Sequence, residues 1–302
     1  MKQRLDDGGI VVLDGGTGTE LERRGVPMDG KAWCGPATLD HLAVLEAVHR
    51  DYILAGADII TANTYASSPL MLDPAGFGEQ FEEINQAAIE AAHRARTACG
   101  REDVVLAGSL SHMIPIVAGA DRSDFALAPD RQEMADALQR LAMLHKSGGC
   151  DLIILEMMYH PDRMAPAFEA AEASGLPVWA GFSARRGADG QVLSFAQERD
   201  IPFEEVVDVL KGFDVAAAGI MHAPSNVVAD ALSILRDAYD GPLMAYPDSG
   251  YFKMPHWQFD AIIPTDEFRR YADGWVESGV QIIGGCCGLS PDHIEAIAPL
   301  RA

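Results

Sequence analysis

The sequence predicts a (β/α)8 barrel, and three observations carry that prediction. Eight short apolar runs rich in β-branched residues recur along the 302 residues, longer helical patterns separate them, and no linker interrupts the alternation. Polar or reactive residues also stand where the runs end, the place where such barrels gather their active-site groups.

The series opens with IVVLD at 10–14, followed by the tight turn GGTGTE, whose spacing fits neither a dinucleotide nor a Walker phosphate loop. A helical pattern over 39–55, with apolar residues three and four apart, leads through AGAD into DIITAN at 58–63. The pattern over 79–99 returns to VVLAGS at 104–109, and that over 131–146 passes through SGGCD into DLIILE at 151–156. PVWAGF at 177–182, VAAAGIM at 215–221 and PLMAY at 242–246 follow. The pattern over 268–278 leads through SGV to VQIIGG at 280–285, glycine ending the preceding helix in each of these turns. One domain over residues 1–302 is expected, with a doubly wound open sheet as the rival.

Composition narrows the function. A net charge of -22 repels a phosphate backbone, and no basic run with interleaved aromatics offsets it, so nucleic acid and anionic membranes are excluded as partners. The chain has no run of the roughly 18 apolar residues that a membrane span needs, and its opening lacks the apolar centre of a secretory signal. A cytoplasmic small-molecule enzyme is the expectation, with assembly into a homo-oligomer left open. Five cysteines fit a reducing compartment, where they serve metal binding, catalysis or burial.

Two of the five, Cys286 and Cys287, are adjacent in GGCCG at the end of the last run. A strained vicinal disulfide and simple packing are the alternatives to the leading reading, zinc, for which thiolates are suited ligands and flanking glycines allow the sharp turn. A catalytic zinc needs three protein ligands and one open position. His222, just past the sixth run, is the best placed third ligand, whereas His41, His49, His93 and His145 lie in helical patterns and read as surface or packing residues. Asp14, Asn63, Glu156, Ser183 and Asp248 occupy other strand ends. Cys34, Cys99 and Cys150 are not taken as site residues, Cys150 reading as buried packing, and Met157 and Met158 read as either a thioether pocket or core.

The segments VVLDGGTGTELERRG, ITANTY, YPDSG and IIGGCCGLSPDHI together resemble the homocysteine S-methyltransferase family over about residues 10–298. The resemblance implies a zinc-bearing barrel that methylates the sulfur of homocysteine to form methionine. It further implies that Asp14 and Glu156 hold the substrate ammonium while amides of Gly15 and Gly16 meet its carboxylate. With Asn63 and Ser183 these make the expected substrate-binding set, and His222, Cys286 and Cys287 the catalytic metal set.

The sequence departs from the family at one point: where a cysteine ligand is usual after strand six, Gly219-Ile220-Met221 leads to His222. Either His222 holds the metal as a nitrogen ligand, or the site has lost zinc. One imidazole and two thiolates bring a divalent ion to zero charge, where three thiolates would give -1, so an added thiol would bind more readily but attack more slowly.

The donor must carry its methyl group on a cationic sulfur or nitrogen. A small sulfonium such as S-methylmethionine or S-adenosylmethionine is favoured over a betaine, because the chain lacks the longer C-terminal extension of betaine-using relatives, and no folate or cobalamin module is expected. Trp33, Tyr65, Tyr159 and Tyr251 are candidates to face that cation. Another thiol or a selenol as acceptor, or a non-catalytic metal-binding role, are the competing readings.

Overall fold

Short apolar runs buried on both faces build the sheet. The computed structural model describes residues 1–301, and its eight parallel strands are β1 (Val11–Val12), β2 (Ile59–Thr61), β3 (Val105–Leu110), β4 (Leu152–Met158), β5 (Val178–Phe182), β6 (Ala217–Pro224), β7 (Leu243–Asp248) and β8 (Ile282–Ile283). Each pairs with its sequence neighbour, and β1 also pairs with β8 through Val11 with Ile282 and Val12 with Ile283. A parallel bridge between Leu13 and Ile59 joins β1 to β2, so the sheet closes into a barrel.

Within a strand, alternate residues face opposite sides. Leu13, Ile59, Ile154, Trp179, Met244 and Ile282 fill the barrel interior, with Leu5 of the short N-terminal helix Lys2–Asp6 packed into the same cluster. Their neighbours Val12, Ile60, Ile153, Leu155, Ala245 and Ile283 face outward into the layer under the helices. Burying one such side chain contributes about 1.5–3 kcal/mol, and register is fixed because a slip of one residue would exchange the two layers.

The surrounding helices follow from local chemistry. Phe81–Cys99 presents Phe81, Ile84, Ala88, Ile89, Ala92 and Ala95 to the core at three- and four-residue steps and ends at Gly100 with φ 63°. Arg131–Ser147 begins with a reciprocal cap, the Asp130 carboxylate accepting from the Glu133 N–H at 2.9 Å and that of Glu133 from the Asp130 N–H at 3.0 Å. His49 and His145 are buried core residues, as their helical placement predicts.

Two antiparallel ribbons that the sequence did not announce grow from the C-terminal ends of the barrel: Ala184–Arg186 with Val192–Ser194, and Tyr251–Lys253 with His256–Gln258. Phe195 directly follows the first, and the second carries Phe252 and Trp257, all three of which line the pocket at the mouth. No helix among the described residues is long and apolar enough to cross a membrane.

Candidate metal centre

Alternation would turn Met157 and His222 away from the barrel axis, because Glu156 and Met221 already face it. Both strands break register there, β4 between Leu155 and Met158 and β6 between Met221 and Pro224. At each break one non-glycine residue takes a left-handed backbone, Met157 at φ 52° and His222 at φ 43°. Two consecutive side chains therefore line the pocket on each strand. A bulge re-aims a side chain in this way, at a cost of about 1–3 kcal/mol for the unusual backbone.

His222 so turned meets the cysteine pair. Its Nδ1 lies 3.6 Å from the Cys286 Sγ, which is 3.9 Å from the Cys287 Sγ, and the three ligand atoms all fall within 4.8 Å of one another. A tetrahedral ion with bonds of roughly 2.0 Å to nitrogen and 2.3 Å to sulfur requires N···S and S···S edges of about 3.5 and 3.8 Å. The donor set and spacing therefore fit a zinc-type ion, with a fourth position left over.

The cysteine loop is fixed through its backbone. The Cys286 N–H donates to the Pro247 carbonyl at 2.7 Å, the Ser249 N–H to the Cys287 carbonyl at 2.9 Å, and the Gly285 N–H to the Asp14 carbonyl at 3.0 Å. Gly16 packs so closely that a Cβ there would stand 2.7 Å from the Cys286 carbonyl oxygen and 2.9 Å from the Cys287 Cα. Only glycine allows the turn after β1 to touch the loop after β8.

Electrostatics favour a cation between these groups. Burial works against a charged His222, yet Asp248 and Cys286 outweigh it and push the imidazole up to about 10. The hydrogen bond from Cys287, together with His222, holds the Cys286 thiol well below the usual range despite burial, and Cys287 is pushed up in turn. A pocket that stabilises a protonated imidazole so strongly also attracts a divalent ion, which would take the place of the proton.

Below the sulfurs sit two acids. Asp14 is held by Thr61, whose N–H donates to Oδ2 at 2.7 Å and whose hydroxyl donates to Oδ1 at 3.0 Å. Burial raises Asp14 to about 7, and burial with the neighbouring Cys286 and Asp14 raises Glu156 to about 8. A cation arriving beside two such carboxyls would favour their ionised forms. Gly15 also lines this space, but the Gly16 N–H is spent on the Leu289 carbonyl at 3.2 Å. Asn63 lines it too, its amide donating to the Cys34 carbonyl at 3.0 Å. Ser183 is the exception: it is fully buried and absent from the lining.

Three expectations about lesser residues resolve differently. Cys34 lines the pocket, its thiol 3.3 Å from the Asn63 Oδ1 and held protonated by burial. Met157 lines it as well, accepting from the Tyr65 hydroxyl at 2.8 Å, whereas Met158 belongs to the outer core. Tyr251 is 43% exposed and does not line the pocket, unlike Trp33, Tyr65 and Tyr159.

Sequence reasoning missed Asp121, Phe195, Phe252 and Trp257, which roof the site. Phe195 and Trp257 set their rings 5.2 and 5.7 Å from that of His222. Trp33 lies 5.5 Å from Phe252. The segment bearing Asp121 is tied to the second ribbon by the Gly119 N–H donating to the Met254 carbonyl at 3.0 Å. Thr17, at the start of the helix Thr17–Arg23, adds a buried hydroxyl without a partner.

Comparison with known proteins gives concordant matches. The profile of the homocysteine S-methyltransferase family matches residues 11–300. The chain is 27% identical over 308 residues to homocysteine S-methyltransferase 2 of Zea mays, covering 96% of this chain and 89% of that protein. It is 26% identical over 324 residues to selenocysteine Se-methyltransferase of Brassica oleracea var. italica, covering 98% and 90%. Its fold is similar to that of the metallated homocysteine methyltransferase of Escherichia coli, with a TM-score of 0.72, 24% identity and 98% of each chain covered.

Proposed function

Because the chain belongs to the homocysteine S-methyltransferase family, we propose that residues 1–302 form a homocysteine-binding barrel that moves a methyl group from a small onium donor to homocysteine, yielding methionine. The observation that carries this reading is the convergence of His222, Cys286 and Cys287 at tetrahedral spacing above the paired acids Asp14 and Glu156. These residues form the catalytic and substrate-binding set, with zinc as the ion that the two thiolates and one imidazole would hold. Bound there, zinc supplies Lewis acidity, which lowers the proton affinity of an incoming thiol so that the nucleophile is an anion at neutral pH.

The chain's own groups do the rest. Asp14, oriented by Thr61, and Glu156 receive the ammonium of homocysteine and thereby direct its sulfur toward the cysteines. Trp33, Tyr159, Phe195, Phe252 and Trp257 exclude water and offer ring faces to a cationic donor, with Asp121 on the lining and Asp248 behind His222 adding negative charge. In the transfer itself, the acceptor sulfur forms a bond to the methyl carbon as the bond from that carbon to the onium centre breaks, and the donor leaves neutral. The acids and rings suit a positive donor, a sulfonium such as S-methylmethionine or S-adenosylmethionine, or a betaine.

The zinc-loaded protein, incubated with homocysteine and a panel of sulfonium and betaine donors, is expected to form methionine with at least one. No methionine from any donor would overturn the homocysteine reading. The second reading, a selenol or another small thiol as acceptor, is favoured by the likeness to the Brassica enzyme and by the nitrogen ligand at 222.

A further inference from the structure

His222 is held between two partners. Its Nδ1 faces the Cys286 sulfur at 3.6 Å and its Nε2 faces the Asp248 Oδ2 at 3.7 Å. The register shift that turns His222 inward also brings Pro224, two residues on, opposite Asp248, the last residue of β7. Asp248 is in turn bracketed by the hydrogen bonds that join Pro247 and Ser249 to the backbone of Cys286 and Cys287. Its carboxylate is thus fixed relative to the sulfurs on one side and the imidazole on the other. Among the described residues His222 is its only basic partner within 4 Å, and its side chain is 12% exposed.

An imidazole that binds a metal through one nitrogen commonly gives the N–H of the other to a carboxylate, which fixes tautomer and ring orientation and makes the ligand more basic. We infer that Asp248 is a positioning residue of the metal centre: it accepts the Nε2–H of His222, aims Nδ1 at the cysteines and supplies, through the ring, the negative charge that a third thiolate would bring. This rests on the reading of His222 as a ligand. A neutral imidazole with two thiolates brings a divalent ion to zero net charge; the carboxylate behind the ring takes the assembly to -1. The structure therefore gives His222 a partner that a cysteine at this position would not need.

The test is a double-mutant cycle on the full chain, with zinc affinity measured by competition against a chromogenic chelator and the electronic spectrum recorded after cobalt(II) loading. In the native background Asp248→Ala is expected to weaken zinc binding about 10–100-fold and to shift the cobalt bands. Asp248→Asn, nearly isosteric, is expected to weaken it less, because its side-chain oxygen still accepts the N–H; it carries the test should the alanine variant not fold. In a His222→Cys background the same substitutions are expected to leave zinc affinity unchanged, since a thiolate has no N–H to orient.

Unchanged affinity in the native background would overturn the inference, as would an equal loss in both backgrounds, which would make Asp248 a general charge or a structural residue. Full zinc affinity in His222→Ala would instead remove the reading of His222 as a ligand. The two failures are therefore separable.

Discussion

Glu156 shows what burial does to a single acidic group. Its carboxyl is raised to about 8 and that of Asp14 to about 7, so both gain charge as pH rises through neutrality. The ionised forms attract an ammonium, and affinity for the amino-acid product should therefore strengthen between pH 6 and 8.5. Methionine is the suitable probe, because its thioether does not titrate. Glu156→Gln should raise its Kd by roughly tenfold or more, the worth of one charged hydrogen bond, and flatten the profile. A native Kd independent of pH, measured by calorimetry, would contradict this. At this scale the sequence was informative at most strand ends: Asp14, Glu156, His222, Cys286 and Cys287 were all legible and all line the pocket. Asp121, Phe195, Phe252 and Trp257 reach it from loops and ribbons, where neither periodicity nor motif marks direction. Ser183 is a strand-end residue whose side chain never joins them.

Strands and turns decide how closely those residues approach. All eight strands follow from apolar runs and turn chemistry, but the bulges in β4 and β6 do not, because a register shift leaves no mark on residue type. The close contact of Gly16 with the cysteine loop is a property of the two turns together. Gly16→Ala would press a methyl group against backbone atoms that cannot rotate away. The expected result is a loss of about 1–3 kcal/mol in stability, as for other overpacked sites, together with weaker zinc binding as the two turns separate. Denaturant unfolding and chelator competition on the same samples would check it, and unaltered metal affinity would show that the turns yield independently.

For the whole molecule, two buried histidines set part of the response to acid. Burial lowers His49 to about 4 and His145 to about 3, while an unfolded chain takes up these protons near 6.5. The unfolded state thus binds more protons between about pH 6.5 and 4, and folded stability falls as pH drops through that window, by about 1.4 kcal/mol per unit for each histidine at its steepest. Both ring nitrogens of His49 lack a partner, so His49→Leu should be neutral or stabilising at pH 7 and should reduce the acid slope. Melting temperatures recorded from pH 7 to 4.5 would reveal it, and parallel curves for the two proteins would refute it.

The seam of the barrel has a consequence for synthesis. β1, which carries Asp14 at its end, lies between β2 and β8, and β8 leads directly to Cys286 and Cys287. As the polypeptide leaves the ribosome, the first strand must wait some 270 residues for its neighbour, and contacts of such separation form slowly. Until that late segment arrives the nascent sheet is an open trough with two bare edges. His222 emerges earlier, without the sulfurs it faces in the finished protein, so the cluster of His222, Cys286 and Cys287 is completed only as the barrel closes.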